Sequence, residues 1–247
     1  ARAAQSLEDA GRETWLDKYP DYQRPERSIS YYHKGMIVGF LLDLAIRQAT
    51  GSARGLDDVF RRLDEDFAKR GRFFTREDLI RVFLNVAPSG CDFRKFFDDY
   101  ITGRRELDYD TYLSYAGLKL TGREIEGPSL GFLATRNFDG PVIIQSVVES
   151  GNAAKAGMEA GDVLLEMNGK PLRSLPEERV LGSKPHREIR FLVRRDGREL
   201  TIRFRLESRP RTAYHIEEMK DASQEQRRLR DFWLKGITAA TAGAGKP

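Results

Sequence analysis

From Met36 to Ile46 the only charged residue is Asp43, and Phe40, Leu41 and Leu44 fall on one stripe at helical spacing. A segment this apolar on nearly every side predicts a helix buried inside a sizeable domain, over residues 30–48 and stopped at Gly51. The same helix opens with Tyr31, Tyr32, His33 and Lys34. Aromatic hydroxyls carried into a buried helix need polar partners or a wet cavity. The first turn is therefore not plain core.

The flanking sequence continues in short helices. One is expected over residues 6–16, followed to residue 27 by an extended polar connector marked by Tyr19-Pro20 and Arg24-Pro25. Leu56, Val59, Phe60 and Leu63 share one side of a second, and Thr75-Arg-Glu-Asp78 is a capping box opening a third through Leu84. Asp92 caps a segment over 93–101 closed by Gly103, and Asp108 starts another around Tyr112. The acidic residues Asp57, Asp58, Asp64, Glu65, Asp66, Asp98 and Asp99 fit neither a calcium-loop spacing nor a paired catalytic arrangement. They read as solvated helix turns.

Tyr-x-Lys-Gly at the head of an apolar helix resembles the segment downstream of the zinc helix in gluzincin metallopeptidases. The likeness extends through Gln5-Ser-Leu-Glu-Asp-Ala10, Trp15, Ser30-Tyr-Tyr-His-Lys-Gly35, Leu42-Asp43, Ile46-Arg47 and Leu56-Asp57-Asp58. Together these are similar to the glycyl aminopeptidase family, zinc enzymes whose catalytic domain precedes a PDZ domain. Phe73-Phe-Thr-x-x-Asp-Leu79, Phe96-Phe97-x-x-Tyr100 and the stretch from Gly103 to Gly117-Leu118 resemble the helical tail of that catalytic domain. The resemblance implies that Tyr32 faces a zinc site and hydrogen-bonds the tetrahedral oxyanion. The plainer reading of Tyr32 is a buried tyrosine bonded to a neighbour. His33 is given no chemistry, and Lys34 is expected to pair with a carboxylate.

Such enzymes need His-Glu-x-x-His, which places two imidazoles one helical turn apart. The histidines here are His33, His186 and His215, with no such spacing, and the single Cys91 cannot replace them. The expectation is a zinc enzyme's C-terminal part with no metal ligands of its own: zinc belongs to the full-length parent. Beginning at Ala1 without Met, the chain reads as a fragment inactive alone, its missing N-terminal catalytic half a partner. Without that half the helix from Ser30 would expose a large apolar face and favour self-association.

Beyond Thr121-Gly122 the texture becomes strand-like. Residues 141–148 read as a strand, and Asn168-Gly169 and Asp196-Gly197 as tight turns. Ser174-Leu-Pro-Glu177 is read as a capping box opening a short helix. Ala153-Ala154-x-Ala156-Gly157-x-x-x-Gly161-Asp162-Val163-Leu164 resembles the most recognisable stretch of PDZ domains. The resemblance places Leu130-Gly131-Phe132 at the carboxylate-binding loop, with Gly131 letting the backbone come close. A peptide C-terminus would add there as an extra strand, its side chain in a pocket lined by Leu130, Phe132, Val180 and Leu181. The plainer reading is that these residues fill the core of a small sandwich.

The expected architecture is α+β. Residues 1–120 form an all-α helical block, 126–207 a sandwich-like PDZ domain, and 208–247 a polar linker, a helix capped by Ser223 and Gln226, and a disordered tail. The 42 basic and 38 acidic residues are interspersed, which argues against a nucleic-acid surface. There is no apolar run long enough for a membrane span, and one cysteine excludes an intrachain disulfide. The compartment stays open: cytoplasmic, or periplasmic or secreted in a bacterium. Two functional readings follow, the aminopeptidase fragment with a peptide-binding module and a non-catalytic PDZ adaptor that captures peptide C-termini.

Overall fold

The computed structural model describes residues 5–16, 29–89, 91–136 and 140–243; the connector expected up to residue 27 lies outside them. The chain opens with α1 (Leu7–Leu16), α2 (Tyr31–Ala49), α3 (Leu56–Asp66), α4 (Arg76–Val86), α5 (Phe93–Phe97) and α6 (Tyr109–Ser114). It continues through β1 (Leu118–Ser129), β2 (Phe132–Arg136), β3 (Val142–Val147), α7 (Asn152–Lys155), β4 (Val163–Met167), β5 (Lys170–Pro171) and α8 (Pro176–Val180). Last come β6 (Glu188–Arg195), β7 (Arg198–Arg205), β8 (Glu207–Glu218), α9 (Gln224–Leu234) and α10 (Ala239–Gly243). The fold is α+β. Two compact units share the chain: residues 1–121 with 215–247, and residues 122–214.

In the first unit α2 is the central helix. Ser30 caps it by accepting the amide of His33, and Leu41, Leu44, Ala45 and Ile46 are almost wholly buried. Its one acid is fully used. Asp43 accepts from Arg47 Nε at 2.9 Å and from the amide of Leu56 at 2.7 Å, so it also closes the start of α3. Arg47, itself buried, donates onward to the carbonyl of Ile237 at 2.7 Å, and Trp233 of α9 packs its ring 5.2 Å from Phe40. The expected final helix therefore packs back on the helical unit. Thr75 with Asp78, and Ser223 with Gln226, form the two capping boxes read from the sequence. Around Phe96 a pile of rings from Tyr100, Tyr112 and Phe83 with Phe93 fills the rest of the core.

The structure departs from expectation in four places. α2 is buried only from Val38 onward; Met36 is 69% exposed and Tyr32 61%. The helix over 93–101 changes to a π-turn at Asp98–Thr102, where any Cβ at Gly103 would meet the Asp98 carbonyl at 2.3 Å. Residues 208–218 are not linker but strand β8, which pairs with β1 as a two-stranded sheet. The supposed disordered tail includes α10, held by reciprocal bonds between Thr238 and Thr241.

The second unit is a sheet in the order β2-β3-β4-β6-β7, antiparallel throughout, with β5 paired to β4. Asn168 (φ 53) with Gly169 (φ 76), and Asp196 (φ 49) with Gly197 (φ 77), make the tight left-handed turns that both dipeptides predict. Phe132, Phe191 and Phe204 meet at the centre of the core, Phe191 and Phe204 stacked 5.9 Å apart. The Gly-Asp of the sequence motif has a clear purpose. Asp162, its side chain wholly buried, accepts from Arg195 Nε at 2.6 Å and Nη2 at 2.7 Å, and from the amide of Glu159 at 3.0 Å. Arg195 also reaches the Gly157 carbonyl at 2.6 Å and Glu159 at 2.5 Å, tying the loop before β4 to the end of β6.

Replacing one partner of a buried pair strands the other. Arg195→Ala is expected to destabilise this unit by about 3–5 kcal/mol. Arg195→Lys, which keeps the charge but loses the fork, is expected to lose about 1–3 kcal/mol. Urea unfolding followed by circular dichroism checks both, and equal stability of all three proteins would contradict the assignment.

Candidate functional site

The second unit carries the candidate peptide groove. β2 pairs only with β3 in the described sheet, so one side of β2 is an open edge. At its start Gly131 takes φ +74, a conformation strained for any other residue, and a Cβ there would also approach Glu207 Oε2 at 3.4 Å. The Gly131 carbonyl accepts from Val148 at 2.8 Å, and its amide donates to Ser129 Oγ at 3.3 Å. Not all of the loop's amides are therefore unengaged.

Leu130, Phe132 and Val180 are 4%, 8% and 4% exposed and belong to one core cluster, whereas Leu181 is 58% exposed at the C-terminal end of α8. Three of the four expected pocket residues thus serve the core first, and the fourth is a surface side chain. The reading that they fill the sandwich holds for Leu130, Phe132 and Val180.

Residue Glu177 on α8 was not foreseen as a site. The sequence reads Ser174 as the cap and Glu177 as its returning acid. In the structure Leu175 is the N-cap, without a side-chain bond, because Pro176 occupies the first helical position. Glu177 is thereby released from capping. Both its carboxylate oxygens are buried with no hydrogen-bond partner among the described residues. The main-chain amides of Glu177 itself and of Ala134 in β2 lie against the carboxylate and favour its charge, yet neither closes a hydrogen bond. Burial prevails, with a smaller push from Glu178, and raises the carboxyl above its ordinary value. The signal available beforehand was Pro176.

In the first unit, Tyr32 lies on the first turn of α2 with its ring 4.2 Å from that of Tyr31. At 61% exposure it is not the buried tyrosine of the plainer reading. Among the described residues Lys34 has no carboxylate partner, contrary to expectation; its Nζ is buried and unbonded there, and desolvation lowers its pKa. The first turn of α2 carries no acid, and Asp43 is taken by Arg47 and Leu56. Beside this turn a cleft of about 470 Å³ is lined by Gly35, Met36, Gly39, Phe40, Asp43 and Trp233 among others. Among the described residues no three His, Cys, Asp or Glu side chains come together as metal donors. The zinc of the resembling family has no ligand set in them. The acids weighed as a cation site are instead paired on the surface, Asp58 with Arg61 at 2.6 Å, Asp66 with Arg62 at 2.7 Å and Asp99 with Lys95 at 2.8 Å. Cys91 is inert in the same sense: burial, then Asp92, pushes its thiol up to about 11.

Comparison with known proteins places these units. Residues 128–206 match the PDZ domain family, and this part of the chain is a PDZ domain. Among curated relatives, the periplasmic pH-dependent serine endoprotease DegQ of Escherichia coli strain K12 is 27% identical over 117 residues, covering 42% of this chain and 26% of that protein. A probable periplasmic serine endoprotease DegP-like of Bartonella henselae is 34% identical over 76 residues, 30% of this chain and 14% of that one. Among solved structures, an aminopeptidase N family protein from Idiomarina loihiensis superposes with a TM-score of 0.53 at 20% identity, over 94% of this chain and 41% of that chain. A match over that share of the chain takes in residues of both units, and it speaks for the fold. The chain spans about a quarter or less of the curated relatives and about two fifths of the solved one.

The raised Glu177 carboxyl has a thermodynamic consequence. A folded value above the unfolded one means that folding takes up a proton, so the stabilisation is complete below the ordinary carboxylate value. It is lost as pH rises through the raised folded value. Glu177→Gln is expected to match wild type near pH 4 and to exceed it by about 1 kcal/mol at pH 7–8. Thermal melts across that range check this; a variant less stable at neutral pH would show that the carboxylate has a partner.

Proposed function

We propose that the PDZ domain captures peptide C-termini along the open edge of β2. The observation that carries this reading is the conjunction of an unpaired strand edge with a left-handed glycine at its head. A terminal carboxylate would meet the amides around Gly131 in place of the Ser129 hydroxyl, and the rest of the peptide would continue the sheet. Free-acid peptides from a C-terminal library are expected to bind saturably in fluorescence anisotropy, with C-terminal amidation weakening them by at least about ten-fold. Equal binding of acid and amide would remove the terminus-capture reading.

A second reading is favoured by the fold likeness to an aminopeptidase N family protein, together with the Tyr-x-Lys-Gly turn. In it the chain is the C-terminal part of a zinc-dependent aminopeptidase, inactive by itself, and the exposed Tyr32 donates its phenol to the oxyanion of a peptide carbonyl under attack. The zinc and its ligands would come from the parent's catalytic half. The curated serine endoproteases resemble only a short part of the chain, and their catalytic chemistry is not carried over with it. The adaptor reading separates from this one if no catalytic half exists. With the chain joined to an upstream segment bearing His-Glu-x-x-His, Tyr32→Phe is expected to lower kcat about 10²–10³-fold with zinc retained. Unchanged turnover would take the role from Tyr32.

A further inference from the structure

Like charges set directly across a strand pair repel. The β6–β7 hairpin places Arg190 opposite Arg203, both exposed on its outer face. Arg205 follows Arg203 on that face, across from Glu188. Past the start of β6 the pairing continues, the His186 amide donating to the Leu206 carbonyl and the Leu206 amide to the Arg187 carbonyl, both at 2.9 Å. At this end residues 182–187, Lys184 and Arg187 among them, line a concavity of about 500 Å³ with no acid in its wall. Lys184, Arg187, Arg190, Arg203 and Arg205 thus gather around a single acid, Glu188. Among the described residues none of these side chains makes an ion pair or hydrogen bond.

The other end of the hairpin is balanced: Arg194 pairs with Glu199 across the strands at 3.6 Å, and Glu166 of β4 lies opposite Leu192. Charge on an outer strand discourages pairing with other chains, but mixed signs serve that purpose as well, as at Arg194–Glu199. The repelling pair has also been given room. With no Cβ at Gly169, the Arg190 guanidinium lies 3.1 Å from where that carbon would stand.

We propose that this end of the hairpin binds an extended acidic segment of a partner protein, with glutamate or aspartate at alternate positions. Side chains on one face of an extended chain recur about every 6.7 Å, the spacing that β7 gives Arg203 and Arg205. A carboxylate between Arg190 and Arg203 would meet two guanidinium forks, each suited to bidentate contact, and would turn their repulsion into attraction for the ligand. The outer face of these strands carries no phenylalanine, tyrosine or tryptophan on which nucleic-acid bases could stack. Its one apolar residue, Leu192, is half-buried, which leaves little to enter a lipid surface. The site does not rest on terminus capture, since β3 and β4 stand between β2 and this hairpin in the sheet.

The test uses the full chain and a labelled peptide of alternating glutamate and threonine, acetylated and amidated so that it offers no terminal carboxylate to Gly131. Saturable binding is expected in fluorescence anisotropy, weakening at least about ten-fold as salt rises from about 50 to about 300 mM. The double variant Arg190→Gln/Arg203→Gln is expected to lose at least about ten-fold in affinity, while Arg198→Gln, at the balanced end, stays within about two-fold of wild type. Because the double variant removes a repulsion, its thermal melt is expected at or above that of wild type, which separates lost binding from lost folding. No saturable binding at low salt, an affinity unchanged in the double variant, or an equal loss in Arg198→Gln overturns the site. Tighter binding of anionic phospholipid vesicles or of a single-stranded oligonucleotide than of the peptide overturns the choice of an acidic protein segment.

Discussion

A β-strand with one side unpaired exposes a row of amides and carbonyls that no side chain can satisfy in series. The second unit is built around such a strand. β2 is anchored from within by Phe132 against Phe191 and Phe204, and positioned at its head by Gly131, whose positive φ turns the chain into the strand. The turns at Asn168-Gly169 and Asp196-Gly197 set the hairpins, and the Asp162–Arg195 fork ties the loop before β4 to the end of the neighbouring strand β6. Arg195 sits at the end of β6 and answers a fully buried acid, so the pair reinforces the place where the β4–β6 pairing begins.

The helical unit uses the same device for another end. Asp43 is the lone charge in the apolar run, and it is saturated by Arg47 and by the first amide of α3. Arg47 passes the connection to the carbonyl of Ile237, so the C-terminal segment is fastened to the central helix by a polar relay as well as by the Phe40–Trp233 contact. A single acid in an otherwise apolar helix is thus a structural joint between three segments. A reading from hydropathy alone has no means to see this.

Much of the architecture was legible because its signals are local. Capping boxes at Thr75 and Ser223 need only four consecutive residues, and Asn-Gly and Asp-Gly declare themselves through the positive φ they tolerate. The strands β1 and β8 escaped for the opposite reason. β8 is exposed along most of its length and β1 mixes buried, half-buried and exposed residues without a two-residue period, so neither shows the alternation that marks a half-buried strand. The π-turn at Asp98–Thr102 has no sequence signature beyond Gly103, whose need to be glycine follows only from the carbonyls that crowd it. Burial misled in both units. Tyr32 sits at the open end of a helix whose other end is core, while Leu130, Phe132 and Val180 are packed into the core cluster of their unit.

Glu177 is the instructive failure. Ser-x-x-Glu before an apolar helix is a sound capping signal, and one proline moved the cap by a residue and left the acid without its task. The consequence is larger than the shift. Asp43 and Asp162 show that this fold can pair a carboxylate on both oxygens, with an arginine and a main-chain amide together. Against that standard, a bare carboxylate beside the strand edge is not an ordinary feature of the core. It weakens the folded state at neutral pH, and departures of that kind concentrate where a protein meets another molecule.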